Sequence, residues 1–214
     1  MNSINNYKVG AIRERNSDRI LIAAEEEFVL HGFKGTSMQS IADRADLPKA
    51  NIHYYFKNKS NLYQAVLENI MTTWNAVLAD MNEDSDPAEV LSKFIHFKIQ
   101  FSYTNPNSSK IFAMEIIQGA PHLKKYISQD MRHWVKEKSM VIASWIAQGK
   151  MRDVDPTQLI FMIWATTQHY ADFNTQVLEV MNRREYDDDG IKNITHFLTD
   201  MILTGCGLTP PKIA

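Results

Sequence analysis

Two sets of residues in this chain have types and spacings that could do chemistry. The first is the run Lys49-Ala50-Asn51-Ile52-His53. A helix that reads DNA must present donors and acceptors to base edges near its N-terminal end. Lys49, Ala50, Asn51 and His53 supply them. Lysine reaches guanine O6 or N7, asparagine pairs with adenine, and the alanine methyl can touch a thymine methyl. The second set is Trp74, Lys98, Glu115, Trp164, Gln168, His169 and Tyr170, polar and aromatic residues at positions that read as core. A lysine or glutamine inside an apolar helical face is costly unless paired. Trp164 and Gln168 are four apart, hence on one helix face. A pocket walled by tryptophan, with an amide and an ammonium inside, suits a flat, polar, hydrogen-bonding ring. Other uses remain open: Trp74 as core, Lys98 paired with Glu115 or reaching solvent, His169 and Tyr170 at a subunit interface.

Two short helical patterns position the first set. Met38, Ile41, Ala42 and Ala45 recur three, one and three apart, which is one face of a helix. Thr36 or Ser37 can cap its start. Asp46 interrupts the pattern and Leu47 turns back toward the core. Pro48 suits the first turn of a second helix, where its missing N–H costs little. That helix is predicted over 49–56, with Ile52, Tyr55 and Phe56 on one face and the polar set on another. Small Ala42 at the crossing, a turn at Asp46 and a plug at Ile52 have the dimensions of a helix-turn-helix. The turn position favours a positive φ, which aspartate tolerates better than most residues.

The remaining pattern is helical throughout. Helix 1 is expected over 17–31, with Ile20, Ala23, Ala24, Phe28 and Val29 as its stripe and Gly32 just past its end; Glu25, Glu26 and Glu27 read as a partly solvated face. A helix of about twenty residues opens at Asn58 or Ser60 and runs through Leu62, Val66, Ile70, Trp74 and Leu78. After a polar loop, further helices are expected around 90–101, 111–116, 121–149 (opened by Pro121), from Asp155-Pro156 onward, and from the Asp187–Asp189 run to Gly205 or Gly207. No strand alternation is present. The fold class is all-α with about nine helices, divided into a head, 1–62, and a body, 63–214.

A chain of 214 residues suits one or two domains. The net charge of −2 splits unevenly: residues 1–60 carry nine Lys/Arg against seven Asp/Glu, and the remainder is −4. That asymmetry has the sign of a DNA-binding head on an acidic body. The single cysteine, Cys206, excludes an internal disulfide or a Cys-based zinc cluster and fits a reducing cytoplasm. No run approaches a membrane-spanning length, so no membrane partner is expected. The first ten residues lack the apolar core of a signal peptide and read as a disordered or groove-seeking arm.

The stretch from Gly32 to Leu62 resembles the TetR family of bacterial transcription regulators. Gly32, Phe33, Gly35, Thr36, Ile41, Ala42, Ala45, Leu47, Lys49, Tyr54, Phe56, Lys57, Lys59 and Leu62 carry the resemblance. The departures are Asp46 for glycine, Pro48 for serine or threonine, and His53 for tyrosine. The resemblance implies that Tyr54, Tyr55 and Lys59 contact phosphates, which fix register rather than read sequence. Thr36 and Ser37 would donate in the same way. In the body, KIQFSYTNP, FAMEIIQGAP, EKSMVIASWIAQGK and LIFMIWATTQHYADF are similar to segments of the family's pyrimidine-utilisation branch. That likeness implies a pocket for uracil or thymine, with Trp74, Lys98, Trp164 and Gln168 as ligand-binding residues, in a repressor of pyrimidine catabolism. Uracil offers two carbonyl acceptors and two N–H donors to an amide and a lysine, while indoles stack on its faces.

One helix-turn-helix reads few base pairs, so a homodimer on palindromic operator DNA is expected. Ile160, Ile163, Ala171, Ile194, Phe197, Leu198, Met201 and Ile202, on the last two helices, are its candidate face. Met71, Met114 and Met162 would also suit a different, apolar or aromatic effector. Acid–base work by His96, His122, His133 or His169 finds no support. There is no HExxH, nucleophile elbow, glycine-rich phosphate loop or ligand-spaced carboxylate cluster, so no enzyme, metal or cofactor is expected. A helical adaptor without DNA would leave the polar face of the second short helix without a use.

Overall fold

The computed structural model describes the backbone of residues 2–211 and the side chains of 13–211. The described residues form ten helices and no strand. They are α1 (Asn2–Gly35), α2 (Met38–Ala45), α3 (Lys49–Phe56), α4 (Lys59–Ala76), α5 (Pro87–Thr104), α6 (Pro106–Ile117), α7 (124–147), α8 (Pro156–Asp172), α9 (Asn174–Val180) and α10 (Asp188–Gly205). The helix beyond the expected nine is α9. Only Phe173 separates it from α8, and no proline or glycine marks the break.

The helix-turn-helix follows its local chemistry. Ser37 caps α2: its hydroxyl accepts from the Ser40 N–H at 2.9 Å, while the Ser37 N–H donates to Ser40 Oγ. Asp46 takes φ 50° and ψ 51°, the left-handed turn its position demands. Pro48 precedes Lys49, and Asn58 caps α4 by accepting from the Asn61 N–H at 2.9 Å. Farther on, Asp86, Asp155 and Asp187 cap α5, α8 and α10 through their carboxylates.

Three expectations change. First, α1 begins at Asn2 rather than near residue 17, because no proline stops the helix there; the arm is helical backbone, and its side chains before Arg13 lie outside the described residues. Gly32, at φ 66°, kinks this helix where the sequence places its end. Second, α7 starts at Lys124 rather than Pro121. Glu115 accepts from the backbone N–H groups of His122, at 2.6 Å, and Leu123, at 3.2 Å, and so fixes the turn before it. Residues Ile127–Met131 of α7 form a π turn, followed by Arg132–Ala147. Third, the acidic run on α1 keeps two half-buried, partly solvated members, Glu25 and Glu26, but buries Glu27. Glu27 is buried and accepts from Arg44 Nε at 2.6 Å, Glu26 takes the same guanidinium at 3.0 Å, and Glu25 accepts from Ser108 of α6.

Apolar burial is organised in two cores. One joins Ile20, Phe28, Ile41, Ile52 and Leu62 of the head to Leu67, Trp74, Ile111 and Leu123. The other packs α5, α7, α8 and α10 around Phe94, Ile95, Trp145, Ile163 and Leu203. The second core consumes most of the residues expected at a subunit face: Ile160, Ile163, Ala171, Ile194, Leu198 and Ile202 are all buried within their own chain. Phe197 and Met201 remain outside, 56% and 58% exposed.

Candidate functional site

In the head, Ile52 anchors α3 in the core, which leaves Lys49, Ala50 and His53 exposed and Asn51 half-buried. His53 Nδ1 lies 2.9 Å from the Lys57 carbonyl, closing the helix end. Tyr54 is 71% exposed; Tyr55 is half-buried against the head core and meets Tyr54 edge-on at 5.2 Å. Ser37 stays exposed beside them. Thr36 does not: it is 2% exposed, and its hydroxyl bonds the Glu27 and Gly32 carbonyls, both at 2.9 Å. Its burial removes it from the set able to reach a phosphate, leaving it to tie α1 to α2. Lys59 is half-buried, donates to the Thr36 carbonyl at 2.8 Å and lies 4.7 Å from the centre of the Phe33 ring. It therefore holds the loop that presents Ser37. Arg19, which sequence reasoning missed, donates to the Ala45 carbonyl at 2.7 Å and steadies the turn.

In the body, Trp74 (α4), Lys98 (α5), Trp164 and Gln168 (α8) line one cavity of about 360 Å³. Lys98 is 2% exposed, with its ammonium 3.6 Å from the centre of a Trp74 ring. Burial pushes that ammonium down to about 7, and Asp172 draws it partly back. The Trp74 indole N–H is buried without a hydrogen-bond partner. Lys98 does not pair with Glu115, whose carboxylate is taken up by His122 and Leu123. The cavity is thus mostly apolar and framed by aromatic faces, with Lys98, Gln168 and Asn75 among its few polar residues.

Sequence reasoning missed several of its walls. Trp134 stacks on Trp164, with centres 6.0 Å apart and planes at 27°. Phe112 meets Trp74 edge-on at 4.8 Å. Tyr126 also lines it, with its hydroxyl accepting from Asn75 at 3.0 Å. Ile127, Met131 and Trp134 recur four and three apart, an ordinary helical face, and such a stripe does not by itself separate a cavity wall from core. His169 is exposed, and Tyr170 lies outside this cavity.

Among the described residues, none of the helices is long and apolar enough to cross a membrane, and no cluster of three His, Cys, Asp or Glu residues could hold a metal. A helix-turn-helix with an exposed polar face, joined to a helical body with a ligand-sized cavity, defines a DNA-binding transcription regulator of the helix-turn-helix class. Residues 20–66 match the family described as bacterial regulatory proteins, tetR family, and residues 67–209 match the YcdC-like protein, C-terminal region. The chain belongs to the TetR family. It is 44% identical over 158 residues to the HTH-type transcriptional regulator RutR of Escherichia coli (strain K12), covering 74% of each chain. Its fold matches the regulator SCO4942 of Streptomyces coelicolor with a TM-score of 0.71 at 19% identity, covering 90% of this chain and 98% of that one. It also matches AibR in complex with isovaleryl coenzyme A and operator DNA, with a TM-score of 0.66 at 20% identity over 92% and 99% of the two chains.

Proposed function

We propose that the chain is a homodimeric repressor of pyrimidine catabolism that binds palindromic operator DNA and is controlled by uracil or thymine. The observation that carries the effector is the convergence of Trp74, Lys98, Trp164 and Gln168, from three separate helices, on one cavity. A pyrimidine ring lies between indole faces there; Lys98 and the free Trp74 N–H donate to its carbonyls, and Gln168 pairs with its amide edge.

On DNA, Lys49, Ala50, Asn51 and His53 face base edges, while Ser37, Tyr54 and Tyr55 reach phosphates. Lys59 sets the register of Ser37 from behind. The head is the unit 1–62, the body 63–214. Exposed Phe161, Met162, Phe197 and Met201 on α8 and α10 support pairing of two bodies, which sets two α3 helices on successive turns of the duplex. Trp74 sits on α4, the helix that leaves the head, so a ligand favouring one α4 position changes the separation of the two heads. The shift is limited by the ligand's differential affinity for the two arrangements.

The test is an electrophoretic mobility shift on DNA upstream of the gene, titrated with uracil and thymine. The protein–DNA band is expected to weaken as pyrimidine rises. DNA binding that stays constant into the millimolar range would reject the effector and leave the regulator standing.

A further inference from the structure

A second chamber of about 500 Å³, open to solvent past exposed Ile117 and Phe173, lies beside the effector cavity and shares Phe112, Ile116 and Gln168 with it as walls. Recognition of a free pyrimidine base makes no use of it. Lys110, Ala113 and Thr175 also line it, as does Asp172. Asp172 follows Gln168 by four residues on α8, so the two side chains stand one turn apart on the same face. Oδ1 of Asp172 is buried and has no hydrogen-bond partner. A buried acceptor left unpaired is costly, and a ligand donor that reaches it removes that cost. The two spaces therefore differ chemically: the inner is walled mostly by aromatic rings, and the outer has the Asp172 carboxylate in its wall.

We propose that the second chamber receives a hydroxyl-bearing substituent on the ring, with Asp172 accepting a sugar hydroxyl, so that the site binds a pyrimidine nucleoside as well as the free base. This rests on the pyrimidine reading of the inner cavity. Gln168 stands at the shared wall, between the base and the sugar. The charged groups around Asp172 are Lys98 on α5 and Lys110 on α6. Burial pushes the Asp172 carboxyl up to about 6, with Lys98 drawing it back, which leaves it largely ionised near neutral pH as a strong acceptor.

Isothermal titration of the full chain with uracil and with uridine tests this. Uridine is expected to bind. Asp172→Asn is expected to weaken uridine about tenfold more than it weakens uracil, as loss of a hydrogen bond to a charged group does, the loss shared by both ligands reporting the effect of Asp172 on Lys98. Ala113→Leu, which narrows the outer chamber from a position outside the inner cavity, is expected to weaken uridine and spare uracil; it keeps the question open to measurement if the Asp172 variant does not fold. Uracil binding without uridine binding, or equal losses for both ligands, overturns the second chamber and leaves the pyrimidine reading intact. Failure of the unsubstituted protein to bind either ligand overturns both.

Discussion

Ser108 on α6 donates its hydroxyl to Glu25 Oε1 on α1 at 2.9 Å, joining residues 83 apart in the chain. Burial raises the Glu25 carboxyl and this bond draws it back, so the contact is one of few that settle a half-buried acid. The same α6 carries Phe112 and Ile116 into the effector cavity. One rigid helix therefore touches both the head and the ligand chamber. His122, held by Glu115, packs 4.4 Å from Phe33 and 4.8 Å from Tyr63, giving α6 a second hold on the head.

Ser108→Ala is expected to leave DNA affinity without ligand within about twofold while shrinking the ligand-induced drop in affinity about threefold, the scale of a single coupling contact. Mobility shifts with and without uracil, on both proteins, measure the difference. An unchanged ratio would show that coupling runs through α4 alone.

On the reading face of α3, Asn51→Ala and Lys49→Ala separate base readout from charge. Asn51→Ala is expected to cost about 1–3 kcal/mol on operator DNA and little on unrelated duplex. If Lys49 instead neutralises a phosphate, its removal weakens all sequences alike and lowers the salt slope by about one. Titrations at three salt concentrations on specific and random duplexes distinguish the two roles.

How much of this was legible in the sequence depends on the range of the forces involved. Ser37, Asp46 and Asn58 act on neighbours within a few residues, so the head was readable from spacing alone. Trp74, Lys98, Trp164 and Gln168 stood out because polar or aromatic groups broke apolar stripes. Trp134 and Tyr126 did not, since aromatic residues in a helical pattern read as core, and only tertiary packing turns them to the cavity. Glu25, Glu26 and Glu27 read as one partly solvated run, and the burial of Glu27 was not legible because the run's partners, Ser108 and Arg44, are remote in sequence. Thr36 was legible as a hydroxyl near a helix start, but only the packing of α1 against α2 decides that it points inward. The residues on α8 and α10 could be assigned to core or interface only once α5 and α7 were seen to cover them.

Lys98 makes both stability and effector binding depend on pH. Its ammonium, ordinarily at 10.5, sits at about 7 in the fold. Between those values the unfolded chain holds a proton that the folded chain has lost, so this group's contribution to stability rises with pH across the window. Asp172 acts at lower pH: raised from 3.8 to about 6, it keeps a proton in the fold that the unfolded chain gives up, so its contribution falls as pH rises through that interval. Uracil affinity should decline above pH 7 as Lys98 loses the charge that donates to a carbonyl. Lys98→Met relieves a desolvated ammonium but leaves Asp172 without its cation, so it is expected to remove the rise in stability between about pH 7 and 10.5 and to abolish the pH dependence of uracil binding. Thermal melts and calorimetric titrations from pH 5 to 9 read both effects.

Phe197 and Met201 lie four residues apart on α10, both more than half exposed, while the apolar residues around them are buried. Large side chains left out of a core on one helix face stabilise a complex only when a partner covers them. Phe161 and Met162 extend the same kind of surface onto α8. Phe197→Asp with Met201→Asp should therefore leave the helical content and melting of the single chain nearly intact, since neither side chain is core. Sedimentation velocity should report a monomer. A monomer carries one reading helix, so operator affinity should fall on the order of a hundredfold or more while non-specific binding changes little. A dimer that survives both charges would move the pairing surface elsewhere on the body.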